Sequence, residues 1–244
     1  MQPKYIPRFN RRDILKIGAV GAGGLAFQTL VPRIAAAGSL GAPMIGFRDR
    51  PLETVGIGFV GVGLMGTAHV ENLLKIEGAE IRAVCDVVPE KVERTQNLVT
   101  ASGQPRPSGY SRGPTDFKRL CDQTDLDLVF TATPWEWHVP VCVAAMEAGK
   151  HAATEVPAAL SLDDCWRLVE TSEKTRRHCV MMENCNYDRF EMMVLNMVDQ
   201  GILGELIHAR CGYLHDLREV KHDLKGEGVW RRDHSMTTDG DLYP

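Results

Sequence analysis

The stretch at residues 54–66, TVGIGFVGVGLMG, constrains this chain more than any other. Val55, Ile57, Phe59 and Val60 predict a short apolar strand. Gly61, Gly63 and Gly66 follow as G-x-G-x-x-G, and residues 67–76 predict a helix. A dinucleotide pyrophosphate needs this order of strand, turn and helix. Gly61 permits the tight turn, Gly63 lets the backbone approach the phosphates, and Gly66 lets helix and strand pack closely. The helix N-terminus adds free N–H donors and partial positive charge. A second predicted strand at residues 80–84 leads to Asp86, about 20 residues past the last glycine, where a carboxylate accepts from a ribose 2′-hydroxyl and repels a 2′-phosphate. NAD rather than NADP is therefore the expected cofactor.

From Val55 onward the pattern alternates strand and helix, which predicts a parallel sheet with helices on both faces. Helices are expected at residues 89–100, 117–121, 139–148, 161–177 and 188–200, and strands at 125–131, 151–154, 179–182 and 206–213. Residues 103–114 read as a polar loop. Ser161 is an expected N-cap, with Asp163 and Asp164 in the first turn behind it. Met193, Val194, Met197 and Val198 share one face of residues 188–200 and read as a core-facing stripe. The fold class is thus α/β: an N-terminal dinucleotide-binding domain at residues 54–184, then the beginning of an α+β substrate domain at 185–244. That second domain gains so few strands before Pro244 that the sequence is expected to be truncated at its C-terminal end.

A net charge of −4 and a pI near 6.1 give no electrostatic reason to expect nucleic-acid binding. The seven cysteines (85, 121, 142, 165, 179, 185 and 211) lack C-x-x-C spacing and read mostly as buried thiols. His215-Asp216 lacks the spacing of a helical metal pair, so no metal is expected. Residues 1–37 read as a targeting segment. Arg11-Arg12 opens a twin-arginine signature, an apolar stretch runs from 17 to 30, and Ala35-Ala36-Ala37 offers a cleavage site. The apolar stretch is short for a membrane span, so export without stable membrane insertion is expected, to the periplasm or beyond. Residues 38–53, rich in glycine and proline, read as a linker.

Three loops follow the carboxyl ends of predicted strands, the edge where open α/β sheets bind ligands. The first holds Trp135, Glu136, Trp137 and His138, where two exposed indoles and an imidazole are costly without a partner. The second holds Glu155 and Val156 before Pro157. The third holds Asn184 and Tyr187.

These residues resemble the Gfo/Idh/MocA oxidoreductase family from about residue 54 to the end. The shared features are the glycine turn, Asp86, the Thr-Pro-x-x-x-His loop at 133–138 and the Glu-x-Pro turn at 155–157. In the family's dehydrogenase branches the middle residue of that turn is typically a lysine that handles the hydroxyl proton; here it is Val156, which disfavours a plain alcohol dehydrogenase. TPWEWH, TEVPAA, GELIHARCGYLHDLR, the closing DGDLYP and the leader are similar to glycoside hydrolase family 109, the NAD-dependent α-N-acetylgalactosaminidases. The resemblance implies a redox-neutral cycle of oxidation, elimination, addition and reduction on the sugar, without the two carboxylates of ordinary glycosidases. It also implies that Leu64, Met65, Asp86, Trp135, Glu136, Trp137, His138, Glu155, Val156 and Asn184 line NAD. Tyr213, Arg232, Tyr243 and Pro244 would face the sugar, and Tyr187 would transfer a proton. Pairing into a homo-oligomer through an open sheet face is a further implication. Two other readings remain open: an NAD-dependent sugar or polyol dehydrogenase, and a non-catalytic exported sugar-binding protein.

Overall fold

The computed structural model describes residues 42–212 together with Asp216 and Trp230. The leader at residues 1–37, and Tyr213, Arg232, Tyr243 and Pro244, lie outside the described residues. Six strands form one parallel sheet: β1 (Val55–Val60), β2 (Ala79–Cys85), β3 (Ser108–Tyr110), β4 (Leu128–Thr131), β5 (His151–Thr154) and β6 (Cys179–Met181). Their spatial order is β3-β2-β1-β4-β5-β6. The chain winds outward one way from β1, returns to the middle, and winds out the other way through β4, so the order reverses between β1 and β4. Around the sheet lie α1 (Leu64–Leu73), α2 (Pro89–Ala101), α3 (Phe117–Cys121), α4 (His138–Glu147) and α5 (Leu162–Thr175), with α6 (Arg189–Asp199) following β6.

Alternation along β1 sends its side chains to two cores. Ile57 and Phe59 face a cluster with Val70 of α1 and Val92 and Val99 of α2, where Phe59 stacks on Phe130 of β4 at 4.7 Å. Val60 points to the opposite cluster with Leu120, Val129, Val141 and Met146. Gly58 shares that second face because a Cβ there would stand 2.7 Å from Leu120 Cδ2. Ser161 caps α5 as expected, accepting from the Asp164 N–H at 3.1 Å, with both aspartates in the first turn.

Several expectations change. Residues 108–110 are a strand, not loop: β3 pairs only on its β2 side, and Ser-Gly-Tyr carries no apolar run to announce it. Helix α1 starts at Leu64, directly after Gly63 as its N-cap, three residues earlier than predicted. Residues 206–212 form no strand despite their alternation, since no described strand lies beside them to complete a ladder. Among the described residues α6 buries no side chain fully: of its expected core-facing stripe, Met193 and Val194 are exposed and Met197 and Val198 half-buried. Of the cysteines, Cys85, Cys121 and Cys142 are buried, Cys179 is half-buried, and Cys165, Cys185 and Cys211 are exposed. Burial pushes the thiols of Cys85 and Cys121 up to about 12, aided by nearby carboxylates.

Residues 42–53 also behave differently from a free linker. Arg176 of the α5 C-cap donates to the Pro43 carbonyl at 3.2 Å and stacks over Phe47 at 4.4 Å. Asp49 accepts from Arg177 at 2.7 Å and pairs with His151 at 3.0 Å. The stretch is held along the amino ends of β5 and β6.

Candidate dinucleotide site

The carboxyl ends of β1, β2, β4 and β5 bring most of the predicted residues together. Gly61 leaves β1 with φ +83°, and its N–H donates to the Cys85 carbonyl at 2.8 Å. A Cβ on Gly61 would lie 2.8 Å from the Ala132 carbonyl carbon. A Cβ on Gly66 would stand 2.0 Å from the Gly61 carbonyl oxygen. Turn, α1 and the end of β4 are therefore in contact that only glycines permit. Leu64 and Met65 open α1 with exposed side chains, and their backbone lies where an anion meets a helix N-terminus.

Asp86 closes the turn from β2. One carboxylate oxygen accepts from the Val62 N–H at 2.9 Å and the other from the Val88 N–H at 3.0 Å. Each oxygen retains a further lone pair, so the side chain is fixed in place and still free to accept from a hydroxyl. Arg94 of α2, which the sequence did not point to, donates to the Val62 carbonyl at 2.9 Å and to Thr67 Oγ1 at 3.0 Å. Its guanidinium adds positive charge beside the turn.

Across the sheet, Glu155 leaves β5 with its side chain 18% exposed. It is hydrogen-bonded to His69 of α1 and accepts from the Val156 N–H at 3.1 Å. His69 lies against Phe130, with ring centroids 4.8 Å apart. Burial works against the charged carboxylate, but the bonds from His69 and Val156 and the charges of His69 and His138 outweigh it, so the Glu155 pKa falls. No sequence pattern marked His69, because its partner stands far along the chain. A lowered folded pKa gives stability that is complete above the ordinary value of 4.5 and is lost as pH falls through the lower one. Glu155→Gln is expected to flatten the acid limb of the stability curve below about pH 4.5, measured by urea melts across pH.

The Trp-His loop is corrected in part. Residues Trp135–Trp137 are one 3-10 turn, with Trp135 only 2% exposed and edge-on to Trp230 at 5.0 Å. His138 is 1% exposed, and its ring nitrogens lie 2.7 Å from the Pro157 carbonyl oxygen and 2.9 Å from that of Thr133. It therefore pins this loop to the Glu155–Pro157 turn. Glu136 is exposed and Trp137 half-buried, the latter edge-on to Phe117. Asn184 is exposed beyond β6. Tyr187 is 85% exposed, with no hydrogen-bond partner among the described residues. The structure thus groups Gly61, Gly63, Leu64, Met65, Gly66, Asp86 and Glu155 at the reversal point of the sheet, the place where such folds hold dinucleotides. Two positions that only glycine fills, a helix N-terminus and a fixed carboxylate fit that ligand.

Residues 55–183 match the family model described as the oxidoreductase family with an NAD-binding Rossmann fold, Gfo/Idh/MocA. The chain belongs to that family, and its first domain is an NAD-binding Rossmann domain. Residues 187–244 match the C-terminal domain of glycosyl hydrolase 109. A glycosyl hydrolase family 109 protein of Shewanella pealeana is 41% identical over 245 residues, covering 97% of this chain and 53% of its own length. A protein of Shewanella oneidensis named alpha-N-acetylgalactosaminidase is 40% identical over 241 residues, 96% of this chain and 52% of its own. The chain thus spans about half the length of the curated relatives it matches. Among solved structures, a probable dehydrogenase from Thermotoga maritima is similar with a TM-score of 0.55 and 26% identity, over 62% of this chain and 42% of that one. The WlbA dehydrogenase from Chromobactrium violaceum shares the fold, with a TM-score of 0.56 and 23% identity over 65% of this chain and 43% of its own.

Proposed function

We propose that this chain is the nucleotide-binding part of an NAD-dependent glycosidase acting on α-N-acetylgalactosaminides without net oxidation. The observation that carries the reading is the glycine turn with Asp86 and Glu155 around it, in a chain whose remainder matches the family 109 C-terminal domain. Bound NAD would supply reversible removal and return of a hydride at a sugar carbon. The backbone at Gly61–Gly66 would hold the pyrophosphate, and Asp86 the adenine-side ribose. Glu155, steadied by His69, would face the nicotinamide half, with Trp137, Glu136, Val156 and Asn184 at its margin. At Val156 no ammonium is present to take a hydroxyl proton, which favours the hydrolase over a net dehydrogenase. Tyr187 is our candidate for proton transfer and Tyr213, Arg232, Tyr243 and Pro244 for sugar contact. Pairing of copies through an open sheet face belongs to the same reading.

The test is to incubate the full gene product with p-nitrophenyl α-N-acetylgalactosaminide. Nitrophenol released with no accumulation of reduced cofactor supports the reading. Reduced cofactor formed in step with oxidised free sugar supports the dehydrogenase, and glycan binding without turnover supports a binding protein.

We also infer export by the twin-arginine route, from Arg11-Arg12 and the apolar stretch after them. No helix among the described residues is long and apolar enough to cross a membrane. Replacing both arginines with lysine is expected to leave the protein in the cytoplasmic fraction of its host, and unchanged export of that variant would refute the route.

A further inference from the structure

At the amino ends of β1, β4 and β5, on the edge opposite the glycine turn, a cavity of about 280 Å³ is lined by Asp49, Arg50, Thr124, Asp127, Lys150 and Arg177, among others. Its charges do not cancel. The Asp49 carboxylate is taken by Arg177 at 2.7 Å, by His151 at 3.0 Å and by the Arg50 backbone N–H at 2.7 Å. Asp127 accepts from the Gly56 N–H at 2.8 Å. Two cations remain. Lys150 is only 9% exposed, yet its ammonium has no ion pair or hydrogen bond among the described residues. The exposed guanidinium of Arg50, on the same wall, has none either. The Lys150 ammonium is recessed yet opens to the cavity, and because Asp127 is the one carboxylate set against the two unpaired cations, the lining keeps a net positive charge that a bound anion would balance.

We propose that this cavity is a binding site for a small oxyanion, a phosphate or a carboxylate. Lys150 is its recessed point charge and Arg50 its exposed fork, while the Thr124 hydroxyl is a neutral donor at the rim. Asp49 and Arg50 belong to the stretch held along the sheet edge. An occupied site therefore ties that stretch to β4 and β5 through a bridge other than the Asp49 ion pairs. The site is independent of the nucleotide reading: it lies at the other end of the strands and shares no residue with it.

The experiment is calorimetric titration of the chain with inorganic phosphate and, separately, with acetate, at ionic strength held constant with chloride. Thermal melts follow under the same conditions. Saturable binding of either anion with a higher melting temperature is expected. Lys150→Met and Arg50→Ala are each expected to weaken binding at least tenfold while NAD binding stays unchanged. Phosphate acting alone assigns the site to phosphate, and acetate acting alone assigns it to carboxylates. Arg50 is exposed, so its variant remains informative should Lys150→Met fail to fold. The proposal is overturned if neither anion binds saturably, or if Arg50→Ala binds both as tightly as the parent.

Discussion

Gly66→Ala is expected to abolish measurable NAD binding and to lower the melting temperature by several degrees. The new methyl group would sit 2.0 Å from the Gly61 carbonyl oxygen. Both are backbone elements, so no flexible side chain can yield. Relief requires α1 to move away from β1, which opens the packing of Val70 against Ile57 and Phe59. Overpacking of this kind costs about 1–3 kcal/mol. The nucleotide suffers more than the fold, because a shift of even an ångström at the helix N-terminus withdraws the N–H groups that meet the phosphates. A loss of about 3 kcal/mol is more than a hundredfold in affinity. Tryptophan-fluorescence titration with NAD and a thermal melt would measure both effects. Undiminished binding would show that the pyrophosphate does not lie on this turn.

Asp86→Ala is expected to weaken NAD binding by roughly 10- to 100-fold, on the scale of about 1.4 kcal/mol per decade. Hydrogen bonds to a charged group contribute about 1.5–3 kcal/mol each, and the ribose would lose one. The same change leaves the Val62 and Val88 N–H groups without their acceptor, and Val62 is fully buried. Stability should therefore fall by about 1–3 kcal/mol. Asp86→Asn separates the two effects: it keeps an acceptor oxygen for one amide but removes the charge that repels a 2′-phosphate. Its preference for NAD over NADP should shrink while its melting temperature stays closer to that of the parent. Parallel calorimetry with both cofactors checks this, and equal NAD affinity in the alanine variant would remove Asp86 from the ribose.

The fold of residues 55–183 was legible because its signals are local. Strand, glycine turn and helix sit within two dozen positions, and the later strands, β3 apart, are short apolar runs ending in polar loops. What escaped was set by distant partners. His69 and Arg94 look like ordinary polar helix residues until Glu155 and the Val62 carbonyl are brought beside them. Residues 42–53 have the composition of a linker, and their partners Arg176, Arg177, His151 and His178 stand far along the chain. Trp135 and His138 were expected to be exposed, because a loop with aromatic and ionisable side chains invites that reading. The interior carbonyls that His138 meets could not be read from spacing. Alternation at residues 206–212 was a true pattern with no strand beside it among the described residues.

The position of β1 has a consequence for biosynthesis. Of the described strands it leaves the ribosome first, and β2 can join it at once, but its other side stays open until β4 emerges, after β3 has been made. A nascent chain in that interval carries a half-finished sheet with an unpaired central edge. Until β4 arrives, that edge can pair with the strand edge of another chain as readily as with its own partner.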